Sequence, residues 1–527
     1  MRLCRFNLKQ RIVMVLCAWC APGILLAIAF TSKVDAQLAT VPDKTSTAAD
    51  PSWQKSRQEL QTRYGAELSS LADWCEQQKL TAQAERVRGW QVTRKPDRIY
   101  IFKLPDSLAG SVRGDSATDQ SNNAEYVKRF STLRQKQAER LFALAEKAHT
   151  AKQYTLSYDL VREACRENPD QAAAREILGY VRYQDRWVQA DTARRLATGQ
   201  VLTEKFGWLP ADHVKRYDAG ERYWRGKWID TARDEAQHAN IKTGWRISSE
   251  HYLVTTNHSL EQGAELARRL EKLHDVWSHV FVEYYTPRTV MENWFRRAKQ
   301  TTDGDGKTGT ASGVTKLPST ARRQYNVAYF RNREEYNQAL RPAQAQIEMT
   351  LGIYFSQTRV AYFFADEKQS EGTLLHEAVH QLFQESRQTI KEVGKKNNFW
   401  IVEGVACYFE SLVEHDEYYT LGSLDEGRAP AARERLLETQ FYVPFGTLVT
   451  DGMLEFQRSA NLPMLYSQIA GQTLFLMSGN EGQYRGALVE YLLAVYGGRA
   501  DSITLARLTG QIYGDLDRQY QSFLRTP

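Results

Sequence analysis

Cysteine is scarce in this 527-residue chain, and where it falls excludes as much as its rarity does. Of six cysteines, Cys4, Cys17 and Cys20 sit at the N-terminus, while Cys75, Cys165 and Cys407 are far apart and odd in number. No disulfide framework can be drawn from them, and they are expected as small buried apolar residues. An excess of one charge is equally missing. Residues 1–36 hold five Lys/Arg and one Asp, and the remainder carries 64 basic against 62 acidic residues, a net +2. The overall +6 therefore belongs largely to the N-terminus, and nucleic-acid binding gains no support. No run of 18 apolar residues occurs after residue 30, so no second membrane span is expected. With 42% hydrophobic and 25% charged residues, the chain has ordinary globular composition, and its length asks for two or three domains.

At the N-terminus, Arg2, Arg5, Lys9 and Arg11 precede an uncharged stretch, residues 12–30, and Val34-Asp35-Ala36 then precedes Gln37. Charged, apolar and small residues in that order read as a secretory signal. The stretch is also just long enough to anchor the chain in a bilayer, although Pro22-Gly23 favours cleavage. Either way the protein is expected to be exported, to the periplasm, cell envelope or outside. Membrane attachment follows only if residues 1–36 stay in place.

Beyond the leader, residues 37–124 read as a helical start with a short strand at "RIYIFKLP" (98–105) and a mobile polar loop at 106–124. Residues 125–200 read as helical and similar to a tetratricopeptide repeat. Leu141, Leu144, Ala145, Ser157, Val161, Ala164 and Pro169 match its alternation of large and small positions, which lets two antiparallel helices pack closely and could serve a protein partner. Residues 201–245 are an aromatic-rich connector. "RYQDRWV" (182–188) and "RYWRGKWI" (222–229) look alike, with "FGWLP" (206–210) between them, and each reads as a helix end with a tryptophan folded back.

Residues 246–358 have α+β texture. "WRISSEHYLVTTN" (245–257) reads as a strand, and Leu260, Ala264, Leu266, Leu270, Leu273 and Trp277 fall at helical spacing behind Ser259, a capping residue paired with Gln262. Residues 298–321 read as an exposed insertion, and 325–330 and 359–366 as strands. The second of these is expected at a sheet edge along which a peptide could lie. Residues 359–527 complete the chain as a mainly helical part.

That last part carries the densest chemistry. "GTLLHEAVHQLFQES" (372–386) contains His376-Glu377-x-x-His380. On a helix, residues four apart share a face, so both imidazoles can meet one ion while Glu377, rotated between them, reaches a water. A tetrahedral catalytic zinc needs a third protein ligand. Glu403, in "NNFWIVEGVACYFE" (397–410), lies 23 residues after His380, room for a loop and a returning helix capped by Asn397 or Asn398. The bland reading of these groups is a satisfied polar patch on core helices.

His376-Glu377-x-x-His380 followed by "WIVEGVACYFE" resembles the gluzincin metallopeptidases, most closely the peptidase-MA-like group of exported bacterial proteins. The specific likeness covers residues 359–410. A looser likeness runs from about 246 to the C-terminus and implies a small mixed sheet with a helical zinc subdomain; with the all-helical N-terminal region read above, the expected fold class is α+β. The resemblance further implies Zn2+ held by His376, His380 and Glu403, Glu377 as general base, Tyr466 as oxyanion donor with His415 and Tyr419 as weaker candidates, and a protein or peptide substrate. Thermolysin-type sites place an aspartate where this chain has Cys407, so support for the ligands is expected from Glu410. "VMENWF" (290–295) holds the Met-Glu-Asn of zinc aminopeptidases without their glycine and far before His376, and reads as coincidence. The competing expectation is a non-catalytic envelope scaffold that binds partners through its helical region and keeps a vestigial peptidase fold. The intact Glu377 argues against it.

Overall fold

Long helical periods alternate here with short β segments, and the chain folds as an α+β protein. A computed structural model describes residues 51–105, 120–303, 324–366 and 371–525. The leader at 1–36 lies outside the described residues, as do most of the polar loop and most of the expected insertion. Their ends differ from expectation: helix begins at Gln120 inside the expected loop, and the helix Arg288–Asp303 runs into the expected insertion.

Among the described residues, the N-terminal part opens with four helices: α1 (Pro51–Gln77), α2 (Thr81–Trp90), α3 (Gln120–Thr150) and α4 (Tyr154–Glu167). The close α3–α4 hairpin buries Leu141, Leu144, Ala145, Val161 and Ala164 in one cluster, and Ser157 Oγ donates to the Ala145 carbonyl at 2.8 Å. The region is not wholly helical. Strand β1 (Ile99–Phe102) leaves it and pairs antiparallel with β8 (Tyr418–Leu421), which is followed on the other side by β7 (Val413–Glu414).

Residues 178–238 correct the helical reading. Gly179, Gly199 and Gly220 all hold positive φ (85°, 77° and 85°). Each opens an antiparallel hairpin, Tyr180–Tyr183 with Arg186–Gln189, Gln200–Thr203 with Gly207–Pro210, and Glu221–Trp224 with Lys227–Asp230. Each second strand carries a tryptophan (Trp187, Trp208, Trp228) and runs into a short helical segment. These are three tandem units, and "FGWLP" is the turn and second strand of the middle one. The left-handed glycine, cheap only without a Cβ, makes each corner.

The stretch at 245–257 is a hairpin of β2 (Trp245–Ser248) and β3 (Tyr252–Thr256), followed by helix α5 (Leu260–Val280), where Ser259 Oγ accepts from the Gln262 N–H at 3.1 Å. With β4 (Tyr325–Phe330), β5 (Ile353–Phe355) and β6 (Val360–Phe364) they form one mixed sheet in the order β5-β6-β4-β3-β2, with β4 parallel to both neighbours. Against it and each other pack α6 (Glu371–Glu385), α7 (Phe399–Phe409), α8 (Ala429–Glu438), α9 (Leu462–Gly482) and α10 (Arg485–Tyr496), around a single continuous core. α9 is buried on all sides up to Gly479, so it is the central post that α7 and α8 lean on. Among the described residues no helix is long and apolar enough to cross a membrane.

Candidate metal centre

α6 carries His376 and His380 one turn apart, and α7, returning against it, carries Glu403. Close packing of α7 on α9 sets the depth of that carboxylate. A Cβ on Gly404 would stand 2.5 Å from Thr473 Oγ1 and 3.2 Å from the Ile469 carbonyl, so only glycine lets the helices approach this far. Asn398 sits at the N-cap position of α7, but in left-handed conformation and without a side-chain cap. Its amide oxygen accepts from Tyr491 instead.

Three distances define a common point: 3.2 Å between His376 Nε2 and His380 Nε2, 3.3 Å between His376 Nε2 and Glu403 Oε2, and 3.5 Å between His380 Nε2 and Glu403 Oε1. Two ligands at about 2.0–2.1 Å from a tetrahedral ion stand about 3.3–3.4 Å apart, so the spacing suits one zinc-sized cation. The imidazole planes cross at 77°, which lets their in-plane lone pairs converge. His376 is fully buried and Glu403 is 1% exposed, and among the described residues no hydrogen bond reaches Glu403 Oε2. A dry cluster of acceptors facing one another is costly unless a cation lies among them. The donor set therefore fits a divalent metal with one position left for solvent or substrate.

Electrostatics favour the ligating forms. Burial, aided by His376, holds the His380 imidazole down at about 4 against the pull of Glu403, so the ring is neutral at neutral pH. Burial alone would raise the Glu403 carboxyl. His380, His376 and the Tyr466 hydroxyl outweigh it and keep the group below its ordinary range.

A further layer orients the ligands. Glu410 Oε1 lies 2.9 Å from His376 Nδ1, and Arg428 grips the same carboxylate through Nε to Oε2 at 2.7 Å and a terminal nitrogen to Oε1 at 2.9 Å. With Nδ1–H given to Glu410, His376 turns its Nε2 lone pair toward the common point. Burial raises the Glu410 carboxyl, but His376 and Arg428 overcome it and hold it low. Cys407, where a thermolysin-type aspartate would stand, approaches His376 Nδ1 only to 3.9 Å, and burial pushes its thiol up, so it remains a protonated neighbour.

Glu377 is 1% exposed, and its Oε2 accepts the Tyr354 backbone N–H at 3.1 Å. That N–H belongs to β5, which corrects the expectation of an edge at 359–366. β6 is interior, because the chain before it doubles back through a turn ending at Arg359 (φ 56°) and places β5 outside it. Tyr466, 4% exposed on α9, stands against Phe456 and beneath the Arg428 guanidinium, and its hydroxyl helps to hold the Glu403 carboxyl low. The structure thus brings His376, Glu377, His380, Glu403, Glu410 and Tyr466 into one neighbourhood. His415 bonds Thr420 and stacks on Tyr418, and Tyr419 lies under Lys103, both in the small sheet. Glu292 of "VMENWF" accepts from Tyr154 of α4. Arg428 and Tyr354 were not singled out from the sequence. A lone arginine 18 residues past Glu410 carries no local signal, and a backbone donor carries none at all.

A second group of metal-type side chains, His251, Glu271 and His274, is arranged differently. Its two rings stack nearly parallel at 3.6 Å with 16° between planes, so their in-plane lone pairs cannot aim at one ion. Glu271 is already engaged there by Ser249 and by both the backbone and the ring of His251. No family model, curated protein or solved structure matches this chain.

Proposed function

We propose that the protein is an exported zinc-dependent metallopeptidase, cutting within protein or peptide chains. The observation that carries the reading is the convergence of His376, His380 and Glu403 within 3.5 Å of one another, beside the carboxylate of Glu377. A bound zinc would supply Lewis acidity, polarising a carbonyl and acidifying water. The three ligands hold it, and Glu410, clamped by Arg428, keeps His376 in the ligating tautomer. Glu377 takes a proton from the attacking water at its carboxylate and returns it to the departing nitrogen. Tyr466 offers its hydroxyl to the developing oxyanion. An extended substrate would add to the outer edge of β5, beside the Tyr354 N–H. The basic-then-apolar N-terminus is the support for export.

Purified protein and its Glu377→Gln variant, assayed for bound zinc and for cleavage of unfolded casein, test this reading. Equal metal in both, with cleavage reduced about 10²–10⁴-fold in the variant, is the expected result. Zinc held without activity toward unfolded protein would transfer the case to the scaffold reading, and no zinc in either protein would end both uses of the site.

A further inference from the structure

A separate cavity of about 340 Å³ lies between the N-terminal helices and the α9–α10 corner, and none of its lining residues belongs to the metal centre. Its size falls in the range of small-molecule sites, about 300–1,000 Å³. Lys and Arg outnumber Asp and Glu along its wall by seven to four. Two of these guanidiniums, Arg57 from α1 and Arg485 from α10, keep a buried Nε with no acceptor among the described residues. Their other nitrogens are engaged, Arg57 with Glu163 and Arg485 with Asp159 at 3.0 Å and the Val280 carbonyl at 3.2 Å, so the wall is held in place.

The backbone of the wall is also unusual. Lys152 and Glu481 line the cavity in left-handed conformation, at φ 62° and 58°. Glu481 lies where α9 breaks its helical path at Gly479 to Glu481. Non-glycine residues in this region are strained and gather at ligand sites and clamps. Trp53, Leu156 and Met477 add an apolar surface to the same space.

We propose that this cavity binds a small organic anion, a carboxylate or phosphate ester carrying an apolar ring or short chain. The anionic head is held on the side of Arg57, Lys152 and Arg485, and the apolar body lies on Trp53, Leu156 and Met477. Because the wall is built from both halves of the chain, the ligand also fastens one to the other, and its binding raises the unfolding temperature. The inference does not depend on the peptidase reading.

The test uses the full zinc-loaded protein, with calorimetric titration and thermal unfolding in benzoate, phenyl phosphate, inorganic phosphate and benzyl alcohol. One-to-one saturable binding of benzoate or phenyl phosphate, with a raised unfolding temperature, is expected. Inorganic phosphate and benzyl alcohol should each bind at least about tenfold more weakly. The tighter of the two organic anions identifies the head group as carboxylate or phosphate. Lys152→Glu and Trp53→Ala should each weaken binding about tenfold or more, the unfolding shift being read against each variant's own ligand-free temperature because Trp53 also packs on the N-terminal cluster. Arg57 is spared because it also pairs with Glu163. Absence of saturable binding by both organic anions overturns the proposal. So does binding that persists undiminished in both variants, which would place the anion outside this cavity, and so does inorganic phosphate binding as well as phenyl phosphate.

Discussion

At the scale of single residues, the contact that most repays attention is one with no substrate in reach. Arg428 forks onto Glu410, and Glu410 in turn fixes His376 Nδ1. Outer partners of metal-binding histidines typically govern affinity by about 10–100-fold. Arg428→Gln is expected to weaken zinc binding by about that factor, measured by competition with a chromophoric chelator, and Arg428→Lys should recover only part, since an ammonium restores charge without the fork. Zinc affinity unchanged in a folded Arg428→Gln protein would reduce the residue to packing over Tyr466. The legibility of these residues in the sequence follows their distance along the chain. His376, Glu377 and His380 share one helical turn, where spacing alone dictates which side chains meet. Glu403 needed only the assumption of a returning helix. Arg428 reaches Glu410 by a path through two strands and a turn, and no local pattern encodes it.

Among elements, the α7–α9 contact sets how deep Glu403 sits, and two magnitudes compete there. Replacing a mid-helix glycine with alanine gains about 1 kcal/mol from helix propensity. At Gly404 the added Cβ would meet Thr473 Oγ1 at 2.5 Å and the Ile469 carbonyl at 3.2 Å, and Thr473 is held by its own hydrogen bond to Ile469 at 2.8 Å. Overpacking of this kind costs about 1–3 kcal/mol. The clash wins, because the backbone carbonyl cannot swing away. Gly404→Ala is therefore expected to lower stability by up to about 2 kcal/mol in urea unfolding, and adding Thr473→Ala should recover part of it. A stabilised Gly404→Ala protein would show that the helices can separate freely. The helices themselves were legible because their apolar residues recur over many turns. The three hairpins at 180–230 were not. Their strands are four residues long, and in the first the turn takes its left-handed corner from Gln184 (φ 52°) where a glycine would be the usual signal. Only the recurrence of Gly, hairpin and Trp at intervals of 20 and 21 residues shows the unit. The sheet edge was misplaced for a related reason: β5 is three residues long, below what alternation can reveal.

For the molecule as a whole, the N-terminal helices are locked onto the sheet-and-helix part by buried charge as well as by β1. Arg162 of α4 binds Asp275 of α5 through two bonds of 2.9 and 2.6 Å, and Asp159 of α4 faces both Arg485 of α10 and His279 of α5, whose Nε2 is 2.8 Å away. This docking makes stability depend on pH in a definite direction. Burial lowers the His279 imidazole, and Arg162 and Arg485 add to that against the pull of Asp159. Its Nδ1 is buried without a partner, so a second proton would place an N–H where nothing accepts it. Below the ordinary histidine value of about 6.5 the unfolded chain takes up a proton that the folded chain refuses, so stability falls as pH drops through that value. Asp159 has the same sign lower down. Burial raises it, but Arg485, His279 and Arg57 hold it well below the carboxylate range, and its contribution, full above about 3.9, is lost only in strong acid. Urea midpoints from pH 8 to pH 5 should therefore decline for the parent protein mainly below about 6.5, and the His279→Gln variant should decline less over the same interval. Parallel declines in the two proteins would mean that His279 charges in place. The joint between the halves would then owe its acid sensitivity to other groups.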